Sequence, residues 1–390
     1  MAYFVILAGE SSGDNIGSSI IHELKKSNPN HEFKGIAGPK MIEAGCKPWF
    51  DIKDLSVMGI VNVLKHIPRL LKIRKQVLKK ILDRPPDAFI GIDYPEFNLS
   101  IESKLKQRGI KTVHVVSPSF WAWRENRVKT FSSKVDLMLC LFPFEEKLLR
   151  ENGVNSKFVG HPLADKIPLE IDKQAAKKSL DIEEDIVITL MPGSRRNELK
   201  YHASIIFEAA KKLSKELHHA DQRTVKFIVP TQFPELQDLL IKEHQDELEK
   251  YMFLDDASKA IPASDLVITK SGTSTLESAI FKKPTIVVYK MPTLSFYFLK
   301  VLNIVKTQYA GLPNILLGRE IFPELIQNEV TSENIMTKAL EILNHQEVTD
   351  QTIEDLEELH HSLKKNSALK SAKAIEDIVC LLYTSDAADE

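Results

Sequence analysis

Short apolar runs alternate with helical segments along this chain, and the alternation runs twice. A repeat of strand, helix and strand is the pattern of a parallel sheet covered by helices on both faces. In such sheets, ligands bind where the strands end on their carboxyl side. The strands predicted in the first half are Tyr3–Ala8, Glu32–Ala37, Ala88–Ile92, Lys111–Val116, Asp136–Leu141 and Lys157–Val159, and those in the second half are Ile186–Leu190, Val225–Val229, Met252–Leu254, Leu266–Thr269 and Thr285–Tyr289.

The alternation pauses between residues 161 and 184, where two prolines precede a charged helical segment. We therefore predict two doubly wound, Rossmann-like α/β domains facing each other across a cleft. Their expected limits are 1–165 and 186–350, with a linker at 166–185 and C-terminal helices at 351–379. A length of 390 residues suits two hydrophobic cores better than one.

Composition excludes several classes of protein. A net charge of −2 gives no global case for binding nucleic acid. The three cysteines, Cys46, Cys140 and Cys380, show neither pairing nor metal-ligand spacing, which argues for a reducing compartment and against a zinc site. No run approaches the roughly 20 apolar residues that a membrane span needs. The N-terminal stretch lacks the basic residues and length of a secretory signal, so we expect it to be the first strand.

The last eleven residues, 380–390, differ from the helical pattern that we expect to end near Val379. They resemble the translation of a sequencing-adapter oligonucleotide joined to a truncated reading frame. The alternative is a genuine polar tail. We exclude these residues from the reasoning about the fold.

Two loops in the second half carry the strongest signal for a ligand. Residues 191–195 (Met-Pro-Gly-Ser-Arg) and 270–277 (Lys-Ser-Gly-Thr-Ser-Thr-Leu-Glu) each follow a predicted strand and open a helix. Unpaired N–H groups at a helix N-terminus attract phosphate, and glycine lets the backbone approach it. Together the loops suggest a nucleoside diphosphate, with Glu277 placed to reach ribose hydroxyls. The candidate residues are Gly193, Ser194, Arg195, Ser271, Gly272, Thr273 and Glu277.

Each loop also has a structural explanation. Most strand–turn–helix corners bind nothing, and Ser274 with Glu277 fits a capping box that only satisfies backbone donors. Neither loop is a Walker A sequence or a Gly-x-Gly-x-x-Gly fingerprint.

Two carboxylates of the first half directly follow predicted strands, at the end of a parallel sheet where ligands bind. Glu10 follows the first strand, and Asp93 follows the third. At that end of a parallel sheet Asp93 could act as a general base toward a sugar hydroxyl. The alternatives are an Asx-turn before Pro95 and, at the first loop, an N-cap formed by Ser11 or Ser12.

A third loop of the first half, 117–124, holds two of the three tryptophans. Trp123 could stack on a sugar or meet an acyl chain, although aromatic side chains more often only pack. Arg124 could meet an anionic acceptor. The sequence has no Asp-x-Asp pair at a strand end and no His, Asp or Glu cluster at metal spacing, so we expect no metal or other cofactor. Arg195 and helix N-termini would then meet the charge of the leaving group.

Residues 58–82 form a basic amphipathic pattern. From Pro68, which we expect to start a second helix, Leu70, Ile73, Val77 and Ile81 share one face. The other face carries Arg69, Lys72, Arg74, Lys75, Lys79 and Lys80, with no acid. Such a helix could lie on an anionic membrane or pack against the core with a solvated basic face. The concentration of cations favours the membrane slightly.

The ordered set of segments resembles the lipid-A-disaccharide synthase family, GT-B glycosyltransferases of family 19. The matching segments are Ala8–Asp14, Gly35–Met41, Val57–Val61, Gly91–Asn98, Ser117–Arg124, Phe142–Glu145, Val159–Pro162, Met191–Arg195, Ser271–Glu277 and Leu312–Asn314. Each segment alone is a weak signal, but their order along the chain is specific.

The resemblance implies an inverting hexosyltransferase of lipid A biosynthesis. Its donor is UDP-2,3-diacylglucosamine, and its acceptor is 2,3-diacylglucosamine 1-phosphate (lipid X). It further implies Asp93 as the base, Glu10 as an active-site acid, and Ser11, Ser12, Trp123 and Arg124 on the acceptor side. Asn314 joins the donor-binding residues.

The resemblance also implies a location and an assembly. The membrane-facing segment of the family corresponds to 58–75, which includes Ile60, Val61, Leu64, Leu70, Leu71 and Ile73. We expect a cytoplasmic protein, peripheral on the inner membrane of a Gram-negative bacterium. A homodimer is one expected assembly, because members can exchange C-terminal segments.

Two alternatives stay open at this point. One is another GT-B enzyme that handles UDP-N-acetylglucosamine, either a muramyl-type transferase or a 2-epimerase. The other is a non-catalytic protein that binds a nucleotide sugar. An epimerase has no lipid acceptor and does not need the basic helix, whereas a non-catalytic protein would bind UDP without turnover.

Overall fold

A computed structural model describes residues 1–55, 60–118, 125–293, 296 and 307–386. In chain order the strands of these residues are β1 (Tyr3–Ala8), β2 (Glu32–Ala37), β3 (Cys46–Asp51), β4 (Ala88–Ile92), β5 (Lys111–Val115), β6 (Leu137–Cys140), β7 (Ser156–Phe158), β8 (Ile186–Met191), β9 (Val225–Pro230), β10 (Tyr251–Leu254), β11 (Leu266–Lys270), β12 (Thr285–Tyr289) and β13 (Glu324–Ile326).

Helices connect most of these strands. They are α1 (Ser11–Ser27), α2 (Pro39–Glu43), α3 (Ile60–Asp83), α4 (Pro95–Lys106), α5 (Pro143–Glu151), α6 (Pro162–Lys166), α7 (Lys173–Ser179), α8 (Arg196–Asp221), α9 (Pro234–His244), α10 (Ala257–Ala263), α11 (Thr273–Ile280), α12 (Leu312–Leu317), α13 (Ser332–Asn344), α14 (Gln346–Leu363) and α15 (Ser367–Asp386). Short 3-10 turns lie at Ile52–Asp54, Glu125–Thr130, Gln245–Lys250 and Gln327–Glu329.

The strands form two sheets with the same reversal of strand order. The first has the order β3-β2-β1-β4-β5-β6-β7 and the second β10-β9-β8-β11-β12-β13. Within each sheet, neighbouring strands are parallel. The order reverses between β1 and β4 and between β8 and β11. Loops that leave these strand ends lie side by side, which is where doubly wound folds bind ligands. Both loop pairs singled out in the sequence lie at these two points.

The central strands are buried because helices cover both faces of each sheet. All six residues of β1 and all six of β8 are buried, which explains their continuous apolar sequences. Phe4, Phe33 and Phe89 fill the first core, whereas Phe207 and Phe227 fill the second.

The chain forms two compact units, and the second lies within the sequence of the first. The first unit contains residues 1–165 and the chain from Leu363 onward; the second is Lys166–Ser362. The last helix, α15, packs against α1, and its Ala372, Ile375 and Val379 belong to the core of the first unit. Residues 351–379, which the sequence groups together, are therefore divided between the units. The helix ends at Asp386 rather than near Val379.

Two expectations about local structure were wrong. Pro68 does not start a second helix but lies inside the continuous helix α3. The missing N–H of a proline weakens a helix, yet α3 is held by Val77 and Ile81, both fully buried. The sequence analysis also missed β3 and β13. Both are edge strands, so they lack the continuous apolar runs of central strands.

A buried carboxylate joins two segments of the first unit. Asp14, which is 3% exposed, accepts hydrogen bonds from the backbone N–H groups of Gly38 (2.9 Å), Lys40 (3.0 Å) and Met41 (3.0 Å). The first turn of α1 thus caps the N-terminus of α2, where a negative charge is favourable.

Asp14→Ala should lower the free energy of unfolding of the first unit by about 3 kcal/mol, because it leaves buried donors unpaired. Urea unfolding followed by tryptophan fluorescence measures it, since all three tryptophans precede residue 165. Asp51→Ala is the control in the same unit: this N-cap of a short 3-10 turn accepts one hydrogen bond, from the Lys53 N–H, and should cost about 1 kcal/mol. Equal effects of the two variants would contradict the role of Asp14.

Candidate active site

The two loops at the strand reversal of the second sheet enclose a pocket. It has a volume of about 400 Å³. Both glycine loops contribute backbone and hydroxyl groups to its wall. Its lining residues are Met191, Gly193, Ser194, Glu198, Pro230, Thr231, Gln232, Phe233, Asp255, Ala257, Lys270, Ser271, Gly272, Thr273, Ser274 and Glu277. The predicted donor residues Gly193, Ser194, Ser271, Gly272, Thr273 and Glu277 therefore meet in one place.

Glycine is required in the first loop for two reasons. Gly193 has φ of +150°, and a Cβ at this position would lie 2.7 Å from Cβ of Glu198. A side chain would therefore push the loop away from the first turn of α8. The close approach keeps the backbone of the loop against the N-terminus of this helix.

Glu198 links the two loops, although the sequence analysis did not single it out. Its carboxylate accepts hydrogen bonds from Ser194 N–H (3.0 Å), from Lys270 Nζ (3.1 Å) and from the exposed guanidinium of Arg195 (3.3 Å). Burial alone would raise the pKa of Glu198, but Lys270 and the Ser194 N–H outweigh it and lower the pKa. The sequence signal that could have identified Glu198 is its place in the first turn of α8, three residues after Arg195.

Glu277 does not form the capping box that the sequence allowed. The N-cap of α11 is Gly272, and the Ser274 hydroxyl instead donates to the Lys270 carbonyl. Within the part of the chain that the structure describes, the Glu277 carboxylate makes no hydrogen bond or ion pair. Burial and the neighbouring Asp256 raise its pKa. It is therefore a half-buried acceptor on the pocket wall, as ribose recognition requires.

The predicted catalytic carboxylates lie at the strand reversal of the first sheet. Ala8 and Ile92 are paired in register, so Glu10 and Asp93 follow neighbouring strand ends. A Cβ on Gly9 would lie 2.7 Å from the ring of Tyr94, which shows how closely the two loops approach. Glu10, Ser11 and Ser12 are exposed, and Asp93 is half-buried.

Asp93 is held in an unusual backbone conformation. Asp93 and Tyr94 have φ of +49° and +47°, which non-glycine residues seldom adopt. The buried side-chain amide of Asn98 donates to the Asp93 carbonyl (2.8 Å). Among the described residues nothing donates to the Asp93 carboxylate, so the Asx-turn interpretation was wrong. The N-cap of α1 is Glu10, without a side-chain bond, so Ser11 and Ser12 do not cap it either.

The basic helix α3 has its main apolar face toward the protein. Ile73 is 6% exposed and lies in the first core with Val77 and Ile81, so its assignment as membrane-facing was wrong. Leu70 packs partly against the same core. Leu71 (47%) and Ile67 (39%) remain exposed, beside exposed Arg69, Lys72, Lys75, Lys79 and Lys80.

Some predicted site residues cannot be placed. Trp123 and Arg124 lie outside the described residues, as do the side chains of Ile60, Val61 and Leu64. In the ranges that the structure covers, no group of three His, Cys, Asp or Glu side chains could hold a metal ion. Within the same ranges, no helix is long and apolar enough to cross a membrane.

Relatives of known family cover nearly the whole chain. A model of the lipid-A-disaccharide synthetase family matches residues 4–379. The lipid-A-disaccharide synthase of Methylobacillus flagellatus is 41% identical over 383 residues, which cover 95% of this chain and 97% of that protein. The chain belongs to the lipid-A-disaccharide synthase family. Lipid-A-disaccharide synthase 2 of Legionella pneumophila, 39% identical over 374 residues and 95% of each chain, is a further member. The chain is therefore a glycosyltransferase.

Solved structures confirm the GT-B fold of this family member. The glycosyltransferase of kitacinnamycin has a TM-score of 0.64 at 13% identity and covers 97% of this chain and 99% of its own. For the UDP-GlcNAc 2-epimerase of Neisseria meningitidis bound to UDP-GlcNAc, the TM-score is 0.61 at 12% identity, over 97% and 100%. MurG of Acinetobacter baumannii gives 0.56 at 12%, also over 97% and 100%. At these identities the likeness establishes the fold alone.

Two of the predicted donor-binding residues, Arg195 and Asn314, are not part of the pocket wall. Asn314 is 0% exposed, and its amide is fully used. It donates to the Phe322 carbonyl and to Glu324 Oε1, both at 2.8 Å, and accepts from the N–H groups of Ile321 and Phe322, both at 2.9 Å. The prediction that the Asn314 side chain binds the donor was therefore wrong, because its amide has no hydrogen-bonding group left to offer a ligand.

Asn314 acts instead through Glu324, a residue that the sequence analysis missed. Glu324 accepts from the N–H groups of Ala310 (2.7 Å) and Gly311 (2.8 Å). The Ala310 carbonyl in turn accepts the Ser271 hydroxyl at 2.7 Å. The Leu-Pro-Asn motif of this family member thus supports the loop that begins at Lys270.

Asn314→Asp should lower the free energy of unfolding of the second unit by about 3 kcal/mol near pH 7.5, because it places two buried carboxylates together. Burial already raises the pKa of Glu324. A second carboxylate raises it further, above its value in the unfolded chain. The loss should therefore be complete above the folded-state pKa and shrink as the pH falls through it.

Urea unfolding followed by circular dichroism at pH 7.5 and 5.5 checks this. Asn344→Asp is the matched control, since Asn344 is paired with Arg223 on the surface. A pH-independent loss in Asn314→Asp would contradict the account.

Proposed function

We propose that this protein transfers 2,3-diacylglucosamine from its UDP derivative to the 6-hydroxyl of 2,3-diacylglucosamine 1-phosphate, with inversion at the anomeric carbon. The products are the β-1,6-linked disaccharide 1-phosphate and UDP. The observation that carries the proposal is the family match over residues 4–379. The pocket of the second unit supports it, as do the carboxylates of Glu10 and Asp93 at neighbouring strand ends of the first.

The second unit would hold the donor. The N-terminus of α11 and the hydroxyls of Ser271 and Thr273 offer hydrogen-bond donors and acceptors to the diphosphate. Glu277 would accept hydrogen bonds from the ribose. As the bond to the sugar breaks, negative charge grows on the UDP oxygen, and Arg195 with the helix N-terminus would stabilise it.

The first unit would supply the base. An inverting transfer needs one carboxylate to remove the proton of the acceptor hydroxyl while UDP departs on the opposite face. Asp93 suits this role because nothing among the described residues donates to its carboxylate. The bond from Asn98 to the Asp93 carbonyl fixes its backbone at the strand end. Glu10, at the neighbouring strand end, is the second acid of this site.

Both substrates carry acyl chains, so we place the enzyme at an anionic membrane surface, on the cytoplasmic face of the inner membrane. Leu71 and Ile67 form an exposed apolar strip beside the cations of α3. A small pocket of about 150 Å³ runs from this strip to Tyr94 and Phe97, next to Asp93. The strip could therefore bring lipid substrates to the catalytic loop. A homodimer remains a prediction.

Asp93→Asn should reduce disaccharide formation at least about 100-fold with little change in protein stability, because a general base is lost. The assay mixes both lipid substrates without added metal and detects disaccharide and UDP by mass spectrometry. Glu43→Gln, an exposed acid at the end of α2 in the same unit, is the control and should retain activity. Full activity in Asp93→Asn would move the base elsewhere, with Glu10 next to test. No product from the folded parent protein would refute the proposed reaction.

The double variant Ile67→Ser, Leu71→Ser should bind vesicles of phosphatidylethanolamine and phosphatidylglycerol at least about 10-fold more weakly in flotation, since it removes two exposed apolar side chains. The control is Ile42→Ser with Leu369→Ser, two residues of similar exposure elsewhere in the first unit. Unchanged flotation, or equal loss in the control, would rule out this strip as the contact.

A further inference from the structure

The carboxylate of Glu198 accepts hydrogen bonds from three donors, two of them on residues that line the pocket of the second unit (Ser194 and Lys270) and one on Arg195, next to Ser194 in the chain. They are the Ser194 N–H, the Lys270 ammonium and the Arg195 guanidinium, at 3.0, 3.1 and 3.3 Å. One comes from the backbone of the first phosphate loop and one from the strand that leads into the second. An anion that joins both loops in this way uses the same chemistry as a bound phosphate.

The charges around the pocket make these donors valuable. Among the described residues that line it, Glu198, Asp255 and Glu277 are acidic, and Lys270 is the only Lys or Arg. The negative charge of this wall would repel a diphosphate unless positively charged side chains contact the diphosphate directly. Its oxygens would therefore compete with the Glu198 carboxylate for Lys270 and the Ser194 N–H, the two donors on residues of the lining.

Lys270 is placed for a ligand as well as for Glu198. It is the last residue of β11, at the strand end, and its side chain is 18% exposed. Its ammonium lies 5.7 Å from the ring centroid of Tyr289, which holds it beside the pocket. Lys270 Nζ could therefore move from the Glu198 carboxylate to an anionic ligand without leaving the pocket.

We propose that Lys270 binds the diphosphate of the donor and that Glu198 is an internal competitor that holds Lys270, Arg195 and the Ser194 N–H until the diphosphate takes them over. The inference rests on the proposed function, because it takes the ligand of this pocket to be a nucleoside diphosphate. It assigns Lys270 and Glu198 opposite effects on the same equilibrium. A purely structural ion pair would give both residues the same effect.

Calorimetric titration of the full chain with UDP and, separately, with uridine tests this. Lys270→Met should weaken UDP binding about 10-fold or more, because a charge-assisted hydrogen bond is lost. Lys270→Arg, which keeps the charge, should stay within about 3-fold of the parent. Glu198→Gln keeps the shape but not the charge, and should tighten UDP binding several-fold. Uridine, which has no phosphate, should bind all variants alike.

A matched pair of controls comes from the same unit. Lys338 and Glu341 form an ion pair at 2.7 Å outside the pocket, so Lys338→Met and Glu341→Gln should leave UDP affinity unchanged. Thermal unfolding midpoints establish that each variant is folded. If Lys270→Met does not fold, the comparison of Glu198→Gln with Lys270→Arg still decides, because only the former should tighten UDP binding.

The possible results distinguish a failure of the roles given to Lys270 and Glu198 from a failure of the proposed donor pocket. UDP affinity that is unchanged in Lys270→Met, or lost equally for UDP and uridine, overturns the role of Lys270. Weaker UDP binding in Glu198→Gln overturns the competition and makes Glu198 a support of the loop. A folded parent that binds neither UDP nor uridine would instead refute the donor pocket, and the proposed function with it.

Discussion

The geometry of parallel strands decides where chemistry can occur in this protein. Parallel neighbours need crossover helices, and the strand order must reverse where the chain begins to build the sheet in the other direction. At β1/β4 and at β8/β11 the strand order reverses, which in doubly wound folds leaves a crevice at the adjacent strand ends. Backbone N–H groups and short side chains are therefore exposed there in pairs of loops. Both the carboxylates of the first unit and the pocket of the second depend on this single property.

Acidic side chains that accept backbone N–H groups fix several connections in both units. Asp14 ties α1 to α2, Glu324 holds residues 310–311, and Asp165 accepts from the N–H groups at the start of α15. Charged acceptors make stronger hydrogen bonds than neutral ones, and each bond fixes a loop that has few apolar contacts. The cost is that each carboxylate is desolvated, which is why the pKa of Glu324 is raised.

Much of this arrangement was predictable from the sequence, and the exceptions have physical reasons. Central strands have continuous apolar sequences, and glycine-containing loops follow the ends of β8 and β11. The sequence therefore predicted the fold class and the two loops that line the pocket of the second unit. Asn314 was misassigned because a motif reports that a residue is needed, not whether it touches a ligand or supports a loop. Ile73 was misassigned because periodicity defines a helix face without saying what covers it. Glu198 and Lys270 were missed because their pairing joins segments 72 residues apart.

The position of α15 has a consequence for how the chain is completed during synthesis. The core of the first unit contains Ala372, Ile375 and Val379, which are synthesised after the whole of the second unit. The second unit is one continuous stretch, Lys166–Ser362, so all of its strands are available earlier. Domains usually fold in the order in which they are made. Here the core of the unit that is begun first can be completed only after the second unit has been made, because it needs a helix that begins at Ser367, whereas β4 ends at Ile92.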